Sequence, residues 1–421
     1  MHDTRYPLTQ QRARTPATTA RAVLEPLQGR AHPRSLYLHV PFCYHKCHYC
    51  DFYSIVDRQD RQPAFTDRML RELDALARLA PQHPAPLDTI FVGGGTPTLL
   101  EPAHWQRLLA RLHQRFAIDH DTEVTLECNP ETATAELFDI LRAGGVNRLS
   151  IGAQSFDPRH LKTLERWHDP ANVARAIALA RAAGIERVSI DLIFAVPGQT
   201  EADWRTDLAR ALDLGTEHLS CYALTYEPGT AMTARRDRGQ FAPSDADLEA
   251  HLYDVTVEVL AAAGLDRYEV SNFARAGAEC RHNLAYWRQD DWLAGGPSAS
   301  GHIAGHRFKL APRLDDYLSI DDAGFAPLAD HEPPDARRAL TERLMTGVRL
   351  REGLDEASVG RGADAASPGG GDRLKALLQR AIDRQWLMRN DIAGQTRITP
   401  THQGFLFADA LARDLMDWTD A

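Results

Sequence analysis

Between Ser35 and Gly229 the chain repeats one pattern: a short run rich in β-branched and aromatic residues, followed in most cases by an amphipathic helical stretch. The runs are "SLYLHV", "DTIFVGGG", "EVTLECNP", "GVNRLSIGAQS", "RVSIDLIFAVPG" and "HLSCYALTYEPG". Helical patterns lie between them, around 64–79, 105–116 and 201–214 among others. A strand, a helix and a strand in succession bring the two strands together in parallel through a right-handed crossover. The alternation therefore predicts an α/β sheet or barrel. Six units are fewer than the eight of a closed barrel, so the expectation is a partial (βα)6 barrel. In that architecture reactive groups gather at the carboxyl ends of the strands.

The flanking segments read differently. Residues 1–33, rich in Arg, Thr, Ala and Pro and poor in acids, predict a disordered N-terminal arm. The barrel core is placed at 34–270, and the segment carrying "HNLAYW", together with a connection, at 271–333. Residues 334–421 form helical patterns interrupted by the Gly-rich linker "GADAASPGGGDR" and a hairpin-like turn. They predict a small, mainly helical C-terminal domain of winged-helix-like shape. A formal net charge of −10 argues against a protein that binds nucleic acid by neutralising phosphates. No apolar run reaches the length of a bilayer span and no signal peptide is visible. Six cysteines in 421 residues are too few for a disulfide framework, which points to a reducing compartment, the cytoplasm.

Three of those cysteines crowd into "LHVPFCYHKCHYCDFYS", at Cys43, Cys47 and Cys50, directly after the first strand. A disulfide would leave one thiol over and would be reduced in that compartment. A structural zinc site needs a fourth ligand, from Tyr44, His45 or His48. A 4Fe-4S cluster held by three thiolates leaves one iron open for chemistry.

The spacing C-x-x-x-C-x-x-C, with Tyr49 before the last cysteine and "GGGTPT" ending the next strand, resembles the cluster motif of the radical S-adenosylmethionine (SAM) enzymes. That resemblance implies a 4Fe-4S cluster on Cys43, Cys47 and Cys50. It also implies SAM chelated at the open iron, where electron transfer to the sulfonium releases a deoxyadenosyl radical. Side-chain-free Gly94 and Gly95, with Thr96, would let backbone approach the methionine end. Glu127 would accept from the amino group and Arg166 would pair with the carboxylate. Gln154 and Asp191 would bind the ribose, and Tyr37, six residues before Cys43, matches an aromatic near the cluster. Each of these also has an ordinary structural reading: a turn, a strand-end charge, a solvated arginine, a capped turn.

Further along, "LYLHVPFC", "SIGAQSFD", "IDLIFAVPGQT" and "YEVSNFA" resemble the oxygen-independent coproporphyrinogen III oxidase group. The oxidase branch has a further cysteine two positions after the third cluster ligand, where this chain has Phe52. The HemW-type haem chaperone branch reads C-D-F there and carries H-N-x-x-Y-W, matched by His282, Asn283, Tyr286 and Trp287 in "HNLAYW". The resemblance implies a haem-binding protein that loads apo-haemoproteins, including membrane respiratory-chain components. His282 would be an axial ligand and Tyr286 and Trp287 would cover the porphyrin. The cluster and SAM would be structural or regulatory, promoting a homodimer. The rival activity is radical decarboxylation of coproporphyrinogen III. A buried core histidine flanked by aromatic residues is the structural alternative for the second motif.

Overall fold

The computed structural model describes residues 18–79, 85–392 and 394–419. Strands β1 (Ser35–Val40), β2 (Thr89–Gly94), β3 (Glu123–Cys128), β4 (Arg148–Gln154), β5 (Arg187–Phe194) and β6 (His218–Ala223) lie side by side in chain order. All five pairings among them are parallel. The expected six-stranded half-barrel is present, as the centre of a larger 12-stranded sheet. Beyond β6 lie the antiparallel β7 (Asp266–Arg267) and β8 (Asn272–Ala274). On the other edge β9 (Trp292–Gly295) pairs parallel with β1. β10 (Ser300–Ile303), β11 (His306–Leu310) and β12 (Leu328–Glu332) continue from β9 as an antiparallel meander.

Residues 271–333 are thus integral to the sheet rather than a connection. The four-residue β9 is too short to show a period, and its partner is the first strand instead of a sequence neighbour.

Successive residues of a strand face opposite sides, and the register separates two chemistries. Leu36, Ile90, Val124, Leu149, Val188 and Leu219 are buried on the helix-covered side. The opposite, inner face is polar: Ser35, Thr89, Glu123, Thr125, Arg148, Ser150, Ser189 and His218 are all buried there. An inner face of this kind must satisfy its own hydrogen bonds or share them with a ligand.

The C-terminal unit has its own apolar cluster, including Leu344, Val359, Leu374, Leu378, Ile398, Leu411 and Trp418. Its helices pack on a three-stranded antiparallel sheet of β13 (Leu354–Asp355), β14 (Leu387–Ile392) and β15 (Gln395–Pro400). The Gly-rich stretch is helical here, within Glu356–Ala366 and Gly370–Asp383. A Cβ on Gly370 would lie 2.3 Å from the Ala363 carbonyl oxygen, so glycine lets the two helices close together. Of the N-terminal arm, residues 1–17 lie outside the described residues. Residues 18–33 are docked rather than loose. Ala20 N donates to Ala326 O at 2.8 Å and Leu328 N to Thr18 O at 2.8 Å, and Val23 and Leu24 are buried. Among the described residues, no helix is long and apolar enough to cross a membrane.

Candidate cofactor cleft

Pro41 ends β1, and the loop that follows is clamped at its base. Cys43 N donates to Ile55 O and Ile55 N to Pro41 O, both at 2.8 Å. The glycine run of β2 docks against the same segment: Gly95 N donates to Val40 O at 2.8 Å and Thr96 N to Phe42 O at 2.7 Å. A Cβ at position 95 would meet Phe42 O at 2.6 Å and the Pro41 carbonyl carbon at 2.8 Å, both backbone. Gly95→Ala should therefore push the loop away, at the ~1–3 kcal/mol typical of overpacking. Urea unfolding and limited proteolysis within residues 43–54 would register it. Unchanged stability and cutting would show that the loop has slack.

All six cysteines are free thiols. Cys43 Sγ is 3.5 Å from Thr96 Oγ1, and Arg166 Nη1 is 3.8 Å from Cys47 Sγ. Burial raises the Cys43 thiol and pushes Cys50 up to about 11, so a bound cation is what would hold them as thiolates. Among the described residues, the three sulfurs do not form a set lying within 4.8 Å of one another. One tetrahedral zinc, with Zn–S bonds of about 2.3 Å, needs sulfurs about 3.8 Å apart. As placed, the three thiols do not form a preassembled single-zinc site.

A cleft of about 990 Å³ opens beside this loop at the carboxyl ends of the strands. Gly94, Gly95 and Thr96 line it, and so do Glu127, Gln154, Arg166 and Asp191. Gly94, at φ +116°, donates its N–H to Glu127 Oε2 at 3.0 Å. Gly93 has no room for a Cβ, which would stand 2.9 Å from the Glu127 carboxyl carbon. Burial, reinforced by the charge of Asp191, lifts the Glu127 carboxyl to about 7. Burial raises Asp191 too, although Ser150 Oγ donates to both of its oxygens at 3.0 and 3.1 Å. Arg166 Nη2 donates to Gly152 O at 2.8 Å, whereas its Nε is buried without a partner. Two carboxyls held up by burial, beside an arginine with an unused donor, match a ligand carrying both positive charge and a carboxylate.

Tyr37 does not line the cleft; it lies one layer below. Its ring stacks on Phe91 at 6.3 Å and its hydroxyl is 3.1 Å from His39 Nδ1. His39 Nε2 lies 2.8 Å from Tyr53 O, so it is the protonated nitrogen and Nδ1 accepts from Tyr37. Burial lowers His39 to about 4, keeping it neutral. Sequence reasoning missed His39, although its place in the Ser35–Tyr37–His39 alternation marks it as inward-facing. It also missed Tyr222 on β6 and the cleft wall formed by Phe405–Arg413.

The "HNLAYW" segment is a helix, Arg281–Arg288, at the opposite end of the barrel. The buried Glu123, at the start of β3, receives the N–H groups of Arg281 and His282 at 3.2 Å each and the Cys280 thiol at 3.5 Å. His282 is fully buried, with Nδ1 2.7 Å from Thr89 Oγ1. Its ring packs on Phe91 at 5.3 Å and Tyr286 at 4.7 Å, and Tyr286 continues onto Trp292 at 4.5 Å. Burial drives His282 down to about 3, and its Nε2 has no partner. Trp287 is half-buried.

None of His282, Tyr286 and Trp287 lines the cleft. Placement and the haem expectation disagree. The one-turn spacing of His282 and Tyr286 turns both rings into the barrel to plug it, leaving the imidazole no open face for a macrocycle.

Fold and cleft together define a radical SAM protein, and the family model for the Radical SAM superfamily matches residues 37–211. The chain is 39% identical over 395 residues to heme chaperone HemW of Mycobacterium tuberculosis, spanning 93% of this chain and 97% of that one. Identity to heme chaperone HemW of Bacillus subtilis is 32% over 382 residues, 89% and 97% of the two chains. The chain belongs to the HemW family. The solved coproporphyrinogen III oxidase (HemN) of Escherichia coli, a radical SAM enzyme, has the same fold, with a TM-score of 0.79 at 23% identity over 94% of this chain and 93% of that one.

Proposed function

We propose that this protein is a cytoplasmic haem chaperone on a radical SAM scaffold. In this reading it binds haem and passes it to apo-haemoproteins, including respiratory-chain components at the membrane, and works as a homodimer. The observation that carries the reading is the 39% identity to a heme chaperone HemW along 93% of the chain. Cys43, Cys47 and Cys50 would hold the 4Fe-4S cluster, which when bound supplies an open iron and an electron to SAM. Arg166 would orient the SAM carboxylate and Gln154 and Asp191 the ribose. Glu127 would receive the amino group beside Gly94, Gly95 and Thr96, with Tyr37 supporting from below. Haem added to anaerobically reconstituted protein should give a saturable Soret change. An unaltered haem spectrum would refute the reading.

The oxidase reading lacks its extra cysteine: Phe52, at the cleft, is 63% exposed. Reduced protein incubated with SAM and coproporphyrinogen III should form no protoporphyrinogen.

Glu127 adds a pH test. The ordinary carboxyl value is 4.5 and the buried group sits at about 7, so folding alone becomes less favourable as pH climbs through that window. A cationic ligand favours the ionised form and must displace a proton below about 7. SAM affinity should therefore rise between pH 6 and 8, by up to about tenfold per unit on the acid side. Glu127→Gln should lower the affinity and flatten the profile. A dissociation constant for SAM that ignores pH would remove Glu127 from the site.

A further inference from the structure

We propose that the chain holds a divalent transition cation, of the manganese or zinc class, between Asp157, His160 and Asp203. The site lies on the rim of the barrel, where the turns after β4 and β5 lead into the helices Pro158–Thr163 and Glu201–Asp213. None of the three residues lines the cofactor cleft, so the site is separate from it.

Local structure brings the donors together. Asp157 caps the first helix and accepts from Arg159 N at 2.7 Å. Asp203 closes the capping box of the second, its Oδ2 accepting from Thr200 N at 3.0 Å and Thr200 Oγ1 at 2.7 Å. His160, one turn after Asp157, brings its ring to the two carboxyl groups. One ligand atom from each of the three residues lies within 4.8 Å of the others. Neighbouring donors on an octahedral ion with bonds of ~2.1 Å stand about 3 Å apart, so the set closes by less than about 2 Å to grip one.

The imidazole marks this cluster as a binding site. His160 is 3% exposed, and its Nε2 is buried without a hydrogen-bond partner. That nitrogen stands 3.7 Å from Asp203 Oδ2, aimed at the carboxylate but beyond hydrogen-bond reach. At this separation neither a donated proton nor a lone pair is used, and a buried polar atom left so is costly. A metal ion between them accepts a lone pair from each.

Charge points the same way. Asp207, buried one turn beyond Asp203, is held by Ser155 Oγ at 2.6 Å and Phe156 N at 2.8 Å. Arg210 is turned to Phe156 O at 3.0 Å. The guanidinium that answers the two outer carboxylates is that of Arg159, whose Nη2 reaches Asp157 Oδ2 at 2.6 Å and Asp203 Oδ1 at 2.7 Å. Its side chain is 70% exposed, so it can swing into water at little cost and yield both oxygens to an ion. Arg159 therefore competes with the cation. Carboxylate oxygens suit manganese and imidazole suits zinc, and this mixed set takes either. A bound ion would brace the two helices against each other. Arg166 N donates to Leu161 O at 2.9 Å, so the braced segment carries the arginine of the cleft.

The test uses full-length protein carrying its cluster, so that the loop thiols are occupied. It is titrated with Mn²⁺ alone, and the free ion is read from its aqueous EPR signal. The wild type should remove one equivalent per chain, and the ion should raise the thermal midpoint. His160→Gln, and Asp157→Asn, which keeps a capping oxygen, should each weaken binding by at least about tenfold. Arg159→Ala, which removes the competitor, should tighten it by up to about fivefold. Wild-type affinity in whichever of the two ligand variants folds, weaker binding in Arg159→Ala, or no uptake by the wild type at millimolar Mn²⁺ would each overturn the site.

Discussion

Anaerobic reconstitution of Cys47→Ser is expected to leave iron and sulfide at background, where the wild type takes up both. Cys47 is the buried member of the trio, next to the Arg166 guanidinium. The loop that carries it is held at its base by backbone bonds between Pro41, Cys43 and Ile55, none of which uses the thiol. The fold should therefore survive, with a thermal midpoint near that of wild type, while one corner of the thiolate cage is lost. Stoichiometric zinc in oxygen-free wild-type protein, or a full cluster in the variant, would contradict it.

Glu123→Ala should give the largest loss of stability, on the order of 3–5 kcal/mol. This carboxylate is buried under the half-barrel and pairs with Arg187 at 3.3 Å. It also accepts the N–H groups of Arg281 and His282 and the thiol of Cys280. Its removal strands those donors and leaves Arg187 only its pairing with Glu217 at 3.4 Å, and the plug helix Arg281–Arg288 loses its anchor. Urea unfolding reports the first effect; faster amide exchange over 281–288 reports the second. Glu123→Gln keeps an acceptor and should cost less. A loss under about 1 kcal/mol for the alanine variant would show that the plug holds by apolar packing alone.

Much of this architecture was legible in the sequence, for reasons that also explain what was not. The six central strands announced themselves because each has a buried apolar side and ends at glycine, proline or a polar cluster. The cleft residues were legible because parallel-strand topology sends strand ends to one place, and Glu127, Gln154 and Asp191 fall there. Properties set by distant partners stayed hidden. Strand β9 has four residues and pairs with a strand more than 250 positions earlier. The glycines of 362–373 read as a linker because glycine is poor in helices, yet Gly370 is needed for helix–helix approach. The Phe405–Arg413 wall lines the same cleft as the cysteine loop from the far end of the chain. In "HNLAYW" the ligand chemistry is visible in the residue types, whereas the burial of His282 is not.

The pairing of β1 with β9 bears on how the molecule is made. Until residue 295 has left the ribosome, the outer edge of the first strand has no hydrogen-bonding neighbour, although its other edge can already meet β2. A nascent chain stalled before that point displays a bare template to any extended peptide nearby. Expression of 34–270 alone would reproduce that vulnerable stage permanently, and such a fragment should accumulate as aggregate.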